Sequence, residues 1–336
     1  MVVIDWKRRE LTRRCLESLQ RQEGAESFEV VLVVNEADPD DVVYFRDGFP
    51  DVVVVPEAEN TGFAGGVTAG LRVARGEVVV LVNNDAVADV RFVAEGLAAL
   101  ESSGPRTAAV AARVRLEGRW VPATTGTRDE VAVSRDGRRW QRGAAGAELM
   151  NGDGIALDPN GNGFDRGWLR ALDSPAPAEP LFGFSGGACF VRRAALDEVG
   201  GFDTSLFMYY EDVDVSWRLR LAGHDIVGSE DAVVVHRHAG SSSHGGGLVR
   251  YQSMRNRVAV VVRNGSAPFV FRVLFRVLAR ALLDLRPGPT PQLEPSQWTK
   301  LLCELPTLLV RSLVARRRDH VRASSRRRVE RLWLAR

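Results

Sequence analysis

The feature that most constrains the fold is an alternation of apolar, β-branched runs with helical patterns in the first 85 residues. The runs lie at residues 2–4, 28–34, 52–55 and 77–82. Strands that alternate with helices are typical of βαβ units, in which crossover helices join parallel strands. The pattern therefore predicts an α/β fold, with a mostly parallel sheet flanked by helices.

The middle of the chain interrupts this pattern. Residues 118–180 are rich in Gly, Asp, Arg and Trp and have weak periodicity, which predicts a long, partly irregular insertion near the active site. After it, the pattern predicts a strand at 181–193, a helix at 211–222 and a second strand at 232–235. From residue 249 onward it predicts a helical C-terminal region, which is interrupted by a proline-broken linker at 286–295.

Cysteine usage and hydropathy limit the class of protein. Cys15, Cys189 and Cys303 are widely spaced and form no CxxC pair, so they indicate neither a disulfide framework nor a zinc site. No signal-peptide pattern follows Met1, and no stretch reaches the roughly 20 uncharged residues that a membrane span needs. We therefore expect a cytoplasmic chain.

The net charge of +2 conceals an asymmetry. Residues 310–336 carry a charge of +8, which leaves −6 for the rest of the chain. Arginine clusters ahead of Leu332-Trp333-Leu334 favour a helix that contacts the inner face of the plasma membrane peripherally, and a solvated helix face is the alternative. Nucleic-acid binding is not expected, because the Arg-rich tail is the only feature of the sequence that favours it.

Polar residues at strand ends are the first candidates for chemistry. Asn83-Asn84-Asp85 follows an apolar run, where ligands collect in open α/β sheets. A carboxylate there could hold Mg²⁺ or Mn²⁺ against a diphosphate, although Asn and Asp also favour simple turns. His236 and His238 end a later strand, and His236 with Asp85 would form a mixed oxygen and nitrogen cation site.

A second acidic cluster opens a predicted helix. Glu211, Asp212 and Asp214 could merely complement the helix dipole, yet three acids in four positions exceed that need. Tyr210 precedes them and could shape a sugar pocket. A carboxylate at a helix start is expected to stay ionised at neutral pH, as a general base must.

Two glycine-rich segments invite other functions. Residues 60–66 resemble a phosphate-cradling loop in composition but match neither the P-loop nor the GxGxxG pattern. Ser185 has the GxSxG spacing of a hydrolase nucleophile. Residues 188–191 continue as a strand instead of a helix, which argues against a hydrolase.

Taken in order, the motifs resemble family-2 glycosyltransferases of the GT-A fold, particularly the rhamnosyltransferase-like and galactofuranosyltransferase-like branch. The resemblance implies a Rossmann-like nucleotide-diphospho-sugar transferase fold, with a mixed, mostly parallel sheet flanked by helices. The resemblance covers about residues 2–264, which implies a catalytic domain at 1–264 and a helical, basic region at 265–336. The motifs are residues 2–9, Asn60-Thr61-Gly62-Phe63-Ala64-Gly65-Gly66, Asn83-Asn84-Asp85, Gly183-Phe184-Ser185-Gly186-Gly187, Gly200-Gly201-Phe202-Asp203, Tyr210-Glu211-Asp212-Val213-Asp214, His236 and Arg255-Asn256-Arg257.

The resemblance implies a role for each matching position. Asp85 and His236 match metal ligands for Mn²⁺ or Mg²⁺, and Asp212 matches the catalytic base, with Glu211 beside it. The acceptor and sugar pocket would include Gly186, Gly187, Tyr210 and Asp214. The donor nucleotide would contact Ile4, Asp5, Trp6, Asn35, Asn60, Gly62, Phe63, Gly66, Asn83 and Asn84.

Two departures from the family pattern leave the donor base open. Val34-Asn35 replaces the usual Asp-Asn pair, and Asp5-Trp6-Lys7 ends the first strand. The expected reaction is inverting transfer from a dTDP-rhamnose or UDP-hexose type of donor to a glycan, a lipid-linked acceptor or a small molecule. The product would belong to a cell-envelope polysaccharide or glycolipid.

The sequence leaves two alternative functions and one homodimer interface to consider. A sugar-phosphate nucleotidyltransferase would need a phosphate-reading loop near the N-terminus, which the sequence lacks. A non-catalytic carbohydrate- or nucleotide-binding relative is disfavoured because Asp85, Glu211, Asp212 and His236 are all present. The helical C-terminal region is a candidate homodimer interface.

Overall fold

The chain is built around one large mixed sheet, and a computed structural model describes residues 1–25, 27–124, 131–237, 247–285 and 291–334. The strands are β1 (Val2–Asp5), β2 (Val30–Val34), β3 (Val52–Pro56), β4 (Val78–Asn83), β5 (Ala86–Ala88), β6 (Thr107–Leu116), β7 (Trp120–Pro122), β8 (Val131–Val133), β9 (Arg139–Arg142), β10 (Met150–Gly152), β11 (Ile155–Leu157), β12 (Gly163–Asp165), β13 (Ala188–Arg192) and β14 (Asp225–His236). The helices are α1 (Arg9–Gln20), α2 (Pro39–Gly48), α3 (Gly62–Val73), α4 (Phe92–Ser102), α5 (Arg193–Glu198), α6 (Glu211–Ala222), α7 (Gly247–Asn264), α8 (Ala267–Asp284), α9 (Pro295–Arg318) and α10 (Ala323–Trp333).

The strand order in the large sheet is β3-β2-β1-β4-β13-β6-β14-β5, and β10 also pairs with β6. The first four strands are parallel, as the alternation predicts. β13 then lies antiparallel between β4 and β6, with Phe190 opposite Val80 and Val110. β14 is parallel to β6, and β5 is antiparallel to β14. The α/β class with a mixed, mostly parallel sheet is confirmed: β13, β5 and β10 run antiparallel to their neighbours, and the other six strands of this sheet share one direction.

Both faces of the sheet are covered by helices. Val3 and Leu32 belong to a core with residues of α1, α2 and α4. Val2 and Val31, their neighbours in the chain, belong to a core with residues of α3, α5 and α6. Successive side chains in a strand point to opposite faces, so a strand covered on both sides is apolar throughout. This is why the first strands are continuous apolar runs.

The glycine-rich segment after β3 differs from the expected turn, because α3 begins at Gly62 and includes most of it. Two glycines of α3 let this helix pack closely on β1. A Cβ on Gly66 would lie 3.0 Å from Ile4 Cγ2, and one on Gly70 would lie 2.6 Å from Val2 Cγ1. Gly66 thus has a packing role in this structure.

The 118–180 insertion is more regular than its composition predicts. β7, β9 and β8 form a small antiparallel sheet, and β11 and β12 form a hairpin. Trp120 and Leu149 are buried together in a local core. The insertion therefore has its own hydrophobic support beside the main sheet.

The C-terminal helices share one apolar core with α6, in which the Trp217 and Phe269 rings lie 6.1 Å apart. α10 contributes Val329 to this core, and Trp333 packs at its margin, with the Arg220 guanidinium 3.8 Å from the Trp333 ring centre. In the part of the chain that the structure describes, no helix is long and apolar enough to cross a bilayer. Residues 286–290 of the predicted linker lie outside that part.

The contact between α4 and β13 gives a test of this packing. A Cβ on Gly96 would lie 2.0 Å from the Phe190 ring, so we expect Gly96→Ala to lower the free energy of unfolding by about 1–3 kcal/mol. Alanine's helix propensity, worth about 1 kcal/mol, acts in the opposite direction. Gly48→Ala is the control, because nothing lies within 4 Å of its added Cβ. Urea denaturation showing equal stability of the two variants would contradict this packing.

Candidate functional site

The candidate site lies at the edge of the sheet where β1, β4 and β14 end. These three strands run in the same direction, since β4 is parallel to β1 and two antiparallel pairings through β13 lead to β6 and β14. Their last residues are Asp5, Asn83 and His236. Polar side chains from distant parts of the sequence are thereby gathered at one edge, where open sheets bind ligands.

Asp85 and His236 lie together at this edge. His236 is opposite Ala86 in the β14–β5 pairing, and its Nε2 lies 3.1 Å from Asp85 Oδ1. Its Nδ1 lies 3.0 Å from Asn151 Oδ1, so Nδ1 can donate to that amide oxygen. When the ring is protonated, Nε2 also donates to Asp85, and when the ring is neutral with its proton on Nδ1, Nε2 is free to bind a cation. Burial lowers the pKa of His236, but the hydrogen bond and charge of Asp85 outweigh burial and raise it.

These donors fit a hard divalent cation that takes further ligands from water or phosphate. One carboxylate and one imidazole suit Mn²⁺, and Mg²⁺ is commonly held by one or two side chains plus phosphates. Asn151 would orient the ring from behind. Over the described ranges, no three His, Cys, Asp or Glu side chains come together as a fuller metal cage. The alternative ligand His238 lies outside these ranges, and the metal role of Asp85 and His236 stays a prediction.

Asp212 is held at the start of α6 by backbone groups. Its Oδ2 accepts the Gly186 N–H at 3.0 Å, and its Oδ1 accepts the Val213 N–H at 2.8 Å. Burial nevertheless raises the pKa of Asp212, against the sequence-based expectation for a helix start. Glu211 is also buried, and burial together with the Asp212 charge raises its pKa well above the usual range. Because both pKa values are raised, each carboxylate binds a proton more strongly than an ordinary Asp or Glu does.

The loop that holds Asp212 is bonded directly to the end of β4. Gly187 O accepts the Asn83 N–H at 2.9 Å. Gly186 is close to Phe63, since an added Cβ would lie 2.9 Å from that ring. Hydrogen bonds from the Gly186 N–H to the Asp212 side chain and from the Asn83 N–H to Gly187 O therefore connect the candidate base to the end of β4, two residues before Asp85.

Asp165 at the end of β12 is a site residue that sequence reasoning missed. Burial and the charge of Asp212 raise its pKa to about 7, while His236 acts in the opposite direction. Asp165 therefore lies within electrostatic range of both candidate groups. Asn151, in β10, was missed as well. Both residues belong to the weakly periodic insertion, and neither has a motif that marks it.

Asn35 organises the loop before α3. Its Oδ1 accepts the Thr61 N–H at 2.9 Å, and its Nδ2 donates to Asn60 Oδ1 at 3.2 Å and to Gly62 O at 3.1 Å. Gly62 has a φ of +70°, and its added Cβ would lie 2.3 Å from Phe207 O. Asn35 and Asn60 thus support the loop through side-chain bonds, and Gly62 is required by the close approach of Phe207.

The end of β1 divides into buried and exposed parts. Asp5 is buried, and its Oδ1 accepts from Thr12 Oγ1 and from Asn84 Nδ2 at 3.4 Å. Asp5 and Asn84 therefore tie β1, α1 and β4 together. Trp6 is 45% exposed, and its Nε1 donates to Glu36 Oε2 at 2.9 Å. Of these residues, Trp6 is the one whose surface remains available for a nucleotide.

Asp214, which the resemblance assigns to the acceptor and sugar pocket, is buried in an ion-pair network instead. Its side chain is 1% exposed and lies 2.7 Å from Arg218 Nη2 and 3.1 Å from Arg263 Nη1, while Asn264 Nδ2 donates to it at 2.7 Å. We correct its placement to a buried ion-pair network between α6 and α7. Tyr210 likewise has its hydroxyl engaged, accepting the Gly163 N–H at 3.2 Å, and burial raises its pKa to about 12.

Comparison with known proteins agrees with this architecture. The family model for Glycosyl transferase family 2 matches residues 2–200. Over 67 residues, the chain is 46% identical to the N-acetylglucosaminyl-diphospho-decaprenol L-rhamnosyltransferase of Mycobacterium tuberculosis. That stretch covers 20% of this chain and 22% of the relative, so the match spans about a fifth of the relative's length.

Two solved structures share the fold over most of the chain. The mannosyltransferase PcManGT from Pyrobaculum calidifontis, in complex with GDP-Man and Mn²⁺, is 17% identical with a TM-score of 0.50, and the match covers 94% of this chain and 84% of that one. S. aureus TarS 1-349 in complex with UDP-GlcNAc is 16% identical with a TM-score of 0.52, and the match covers 98% and 90%, respectively. At this identity the similarity shows the fold, which is GT-A.

The ion-pair network of Asp214 yields a stability prediction. Asp214→Asn leaves the buried Arg218 guanidinium without its carboxylate and removes one of the acids that pair with Arg263, so we expect the free energy of unfolding to fall by about 3–5 kcal/mol. Burial raises the pKa of Asp214, but Arg218 and Arg263 outweigh it and lower the pKa below the unfolded value of about 3.9. The native contribution is therefore complete at neutral pH and lost as pH falls through the folded pKa.

Urea denaturation at pH 7 and below pH 4 measures this effect. Glu10→Gln is the control for loss of one acid, because the ion pair of Glu10 with Arg13 on α1 is largely exposed and should contribute little to stability. Equal losses of stability in the two variants at pH 7 would contradict the assigned role of Asp214.

Proposed function

The chain belongs to glycosyl transferase family 2, and on that premise we propose that it transfers a sugar from a nucleotide-diphosphate sugar to an acceptor hydroxyl with inversion. The observation that carries this proposal is the arrangement of Asp212 on the Gly186 loop, which is bonded to Asn83 at the end of β4. These hydrogen bonds hold the candidate base next to the end of β4, and Asp85, which pairs with His236, follows that strand by two residues.

The chemistry assigned to Asp212 follows from its surroundings. A carboxylate with a raised pKa binds a proton more strongly, and the Gly186 N–H fixes its Oδ2. The acceptor hydroxyl gives its proton to Asp212 as its oxygen forms a bond to the anomeric carbon. The bond from that carbon to the diphosphate oxygen breaks on the opposite face, which inverts the centre. Glu211 is buried and Asp212 is partly buried, which limits competition by water for this proton.

Asp85 and His236 would hold a divalent cation, Mn²⁺ or Mg²⁺. When bound, such a cation neutralises the charge that builds on the departing diphosphate. The chain's own contribution is to orient the two donors: Asn151 fixes the His236 ring, and the β14–β5 pairing sets its distance from Asp85. The PcManGT complex contains Mn²⁺ together with GDP-Man, which supports this choice of cation.

The donor is proposed to enter along the ends of β1 and β2. Trp6 offers exposed aromatic surface for a base, beside the loop that is bonded to Asn35. The Gly62 and Ala64 N–H groups at the start of α3 already donate to acceptors within the protein, so the proposed position of the donor depends on Trp6. A dTDP-rhamnose or UDP-hexose type of donor is proposed. Similarity to the mycobacterial rhamnosyltransferase supports rhamnose, and the TarS complex with UDP-GlcNAc supports a UDP-sugar.

The acceptor is proposed to reach Asp212 through the insertion. A cavity of about 310 Å³ is lined there by Trp140, Phe164, Trp168 and Asp165, among other residues. The cavity combines this aromatic surface with many charged groups, which are Arg135, Arg138, Arg170, Asp136 and Glu179. Asp165 lies within electrostatic range of Asp212, so this cavity is adjacent to the candidate base. A glycan or lipid-linked acceptor for a cell-envelope product, used at the cytoplasmic side, is proposed.

A donor screen tests the reaction class. With Mn²⁺ present, we expect slow release of nucleoside diphosphate from one member of a panel of UDP-, dTDP- and GDP-sugars. EDTA and Asp85→Ala should each abolish this release. Asp47→Ala, at an exposed position on α2, should leave it unchanged. If no donor is hydrolysed and calorimetry finds no metal-dependent nucleotide binding, the proposed function is wrong.

Asp212→Asn tests the base. The amide retains the shape of the side chain but cannot accept the acceptor proton, so we expect kcat to fall by about 10²–10⁴-fold while the Kd for the donor stays within a few-fold. Asp47→Asn is the matched control for loss of one charge. Single-turnover transfer and calorimetry with the donor identified by the screen give the two quantities, and near-normal turnover would refute the assignment.

A further inference from the structure

Helix α8 has two apolar faces, of which one is unpartnered among the described residues. Its inner face, which includes Phe269, is buried in the core shared with α6 and α7. The outer face carries large exposed side chains, with Phe271 at 74%, Phe275 at 72% and Leu282 at 67% exposure. We call the α8 outer face the stripe formed by four α8 residues and the C-cap residue that follows the helix: Phe271, Phe275, Leu278, Leu282 and Leu285.

The spacing of the α8 outer face places it on one side of the helix. Its members follow one another at intervals of four and three residues, so they form a continuous stripe over four turns. Scattered exposed apolar residues are normal in soluble proteins, but a contiguous stripe of this size marks an interaction surface. The stripe therefore requires a partner.

The charges along α8 select the kind of partner. Arg272 and Arg276 are exposed beside the stripe. The single acid of the helix, Asp284, is almost fully buried and pairs with Arg280 at 2.7 Å. A second copy of the chain packed on this stripe would bring exposed arginines together without facing acids from α8. An anionic lipid surface complements both the apolar stripe and its cationic flank.

We propose that the α8 outer face is a docking surface for an anionic bilayer, with the aromatic and aliphatic side chains in the interfacial region and Arg272 and Arg276 at the headgroups. This places membrane contact on α8 instead of the Arg-rich tail. In that tail, Arg326 is buried and donates to Arg263 O, and Arg316 donates to Gly265 O and neighbouring carbonyls, so these two serve packing. Other tail arginines, including Arg327 and Arg328, are exposed, and their replacement is the control for the tail.

The surface adjoins the candidate site through the β11–β12 hairpin. Arg272 Nη2 donates to Pro159 O at 3.2 Å, and Gly161 packs against Phe269. β12 then leads to Asp165, which lies four residues from Gly161, or about 13 Å of extended chain. Docking through α8 would hold this side of the site near the bilayer. The consequence for a lipid-linked acceptor rests on the proposed function, whereas the docking itself does not.

Vesicle binding by the full chain tests the proposal. We expect the wild-type chain to cosediment with vesicles of phosphatidylcholine and phosphatidylglycerol, with weaker binding to pure phosphatidylcholine and in high salt. Replacing Phe271, Phe275 and Leu282 together by Gln should weaken binding at least about tenfold. Arg276→Gln should weaken binding to the anionic vesicles about fivefold, with little effect on the neutral ones.

The controls separate this surface from its alternatives. Val43→Gln with Val73→Gln removes exposed apolar side chains from α2 and α3, and Arg327→Gln with Arg328→Gln removes exposed charge from α10. Both pairs should bind as the wild type does. All variants should keep the wild-type Tm, because the changed residues are exposed.

Three outcomes would overturn the proposal. The first is absence of wild-type binding to anionic vesicles, and the second is binding that is lost with the α10 pair and kept in the α8 triple variant. The third is a wild-type dimer in analytical ultracentrifugation that the α8 triple variant alone dissociates while vesicle binding is unchanged. Donor hydrolysis by the triple variant at the wild-type rate would show that a docking defect is separate from a failure of the proposed function.

Discussion

The site depends on the antiparallel insertion of β13 between β4 and β6. Because Ala188 pairs with Val82, the segment just before β13 must cross the end of β4, and the Asn83 N–H then donates to Gly187 O. That crossing positions the Gly186 N–H for Asp212. A parallel strand at this place would put the preceding loop at the opposite edge. The reversal that makes the sheet mixed is therefore also what brings α6 to the carboxyl ends of the parallel strands.

Burial of acids at this edge is unfavourable, and the fold offsets it in two ways. Asp214 is neutralised by Arg218 and Arg263, so its pKa falls and the charge is part of the native structure. Burial raises the pKa of Asp212 although its backbone N–H donors oppose the rise, and burial together with the Asp212 charge raises the pKa of Glu211. Neighbouring acids on one helix thus have opposite environments, as expected where one serves packing and another proton transfer.

Much of the fold could be predicted from periodicity, and the site could be predicted only in part. The four parallel strands follow from apolar runs, and α6 from its spacing. Proximity in the sequence groups Asp214 with Asp212. On a helix, however, two positions differ by about 200°, so the side chains point to opposite sides. The helical period therefore separates Asp214 from Asp212, although their closeness in the sequence suggests one shared site.

Asp165 and Asn151 could not be predicted for a different reason. Each acts through a long-range contact made by the insertion, whose short strands are fixed by pairing with one another and with β6 instead of by strong local patterns. Asn151 lies in β10, which an irregular pairing attaches to β6, and it is this attachment that puts its amide beside His236. A residue that acts only through tertiary register leaves no periodic signal in one sequence. The parts of the site that came from the regular sheet were therefore visible as motifs, whereas the parts supplied by the insertion required the structure.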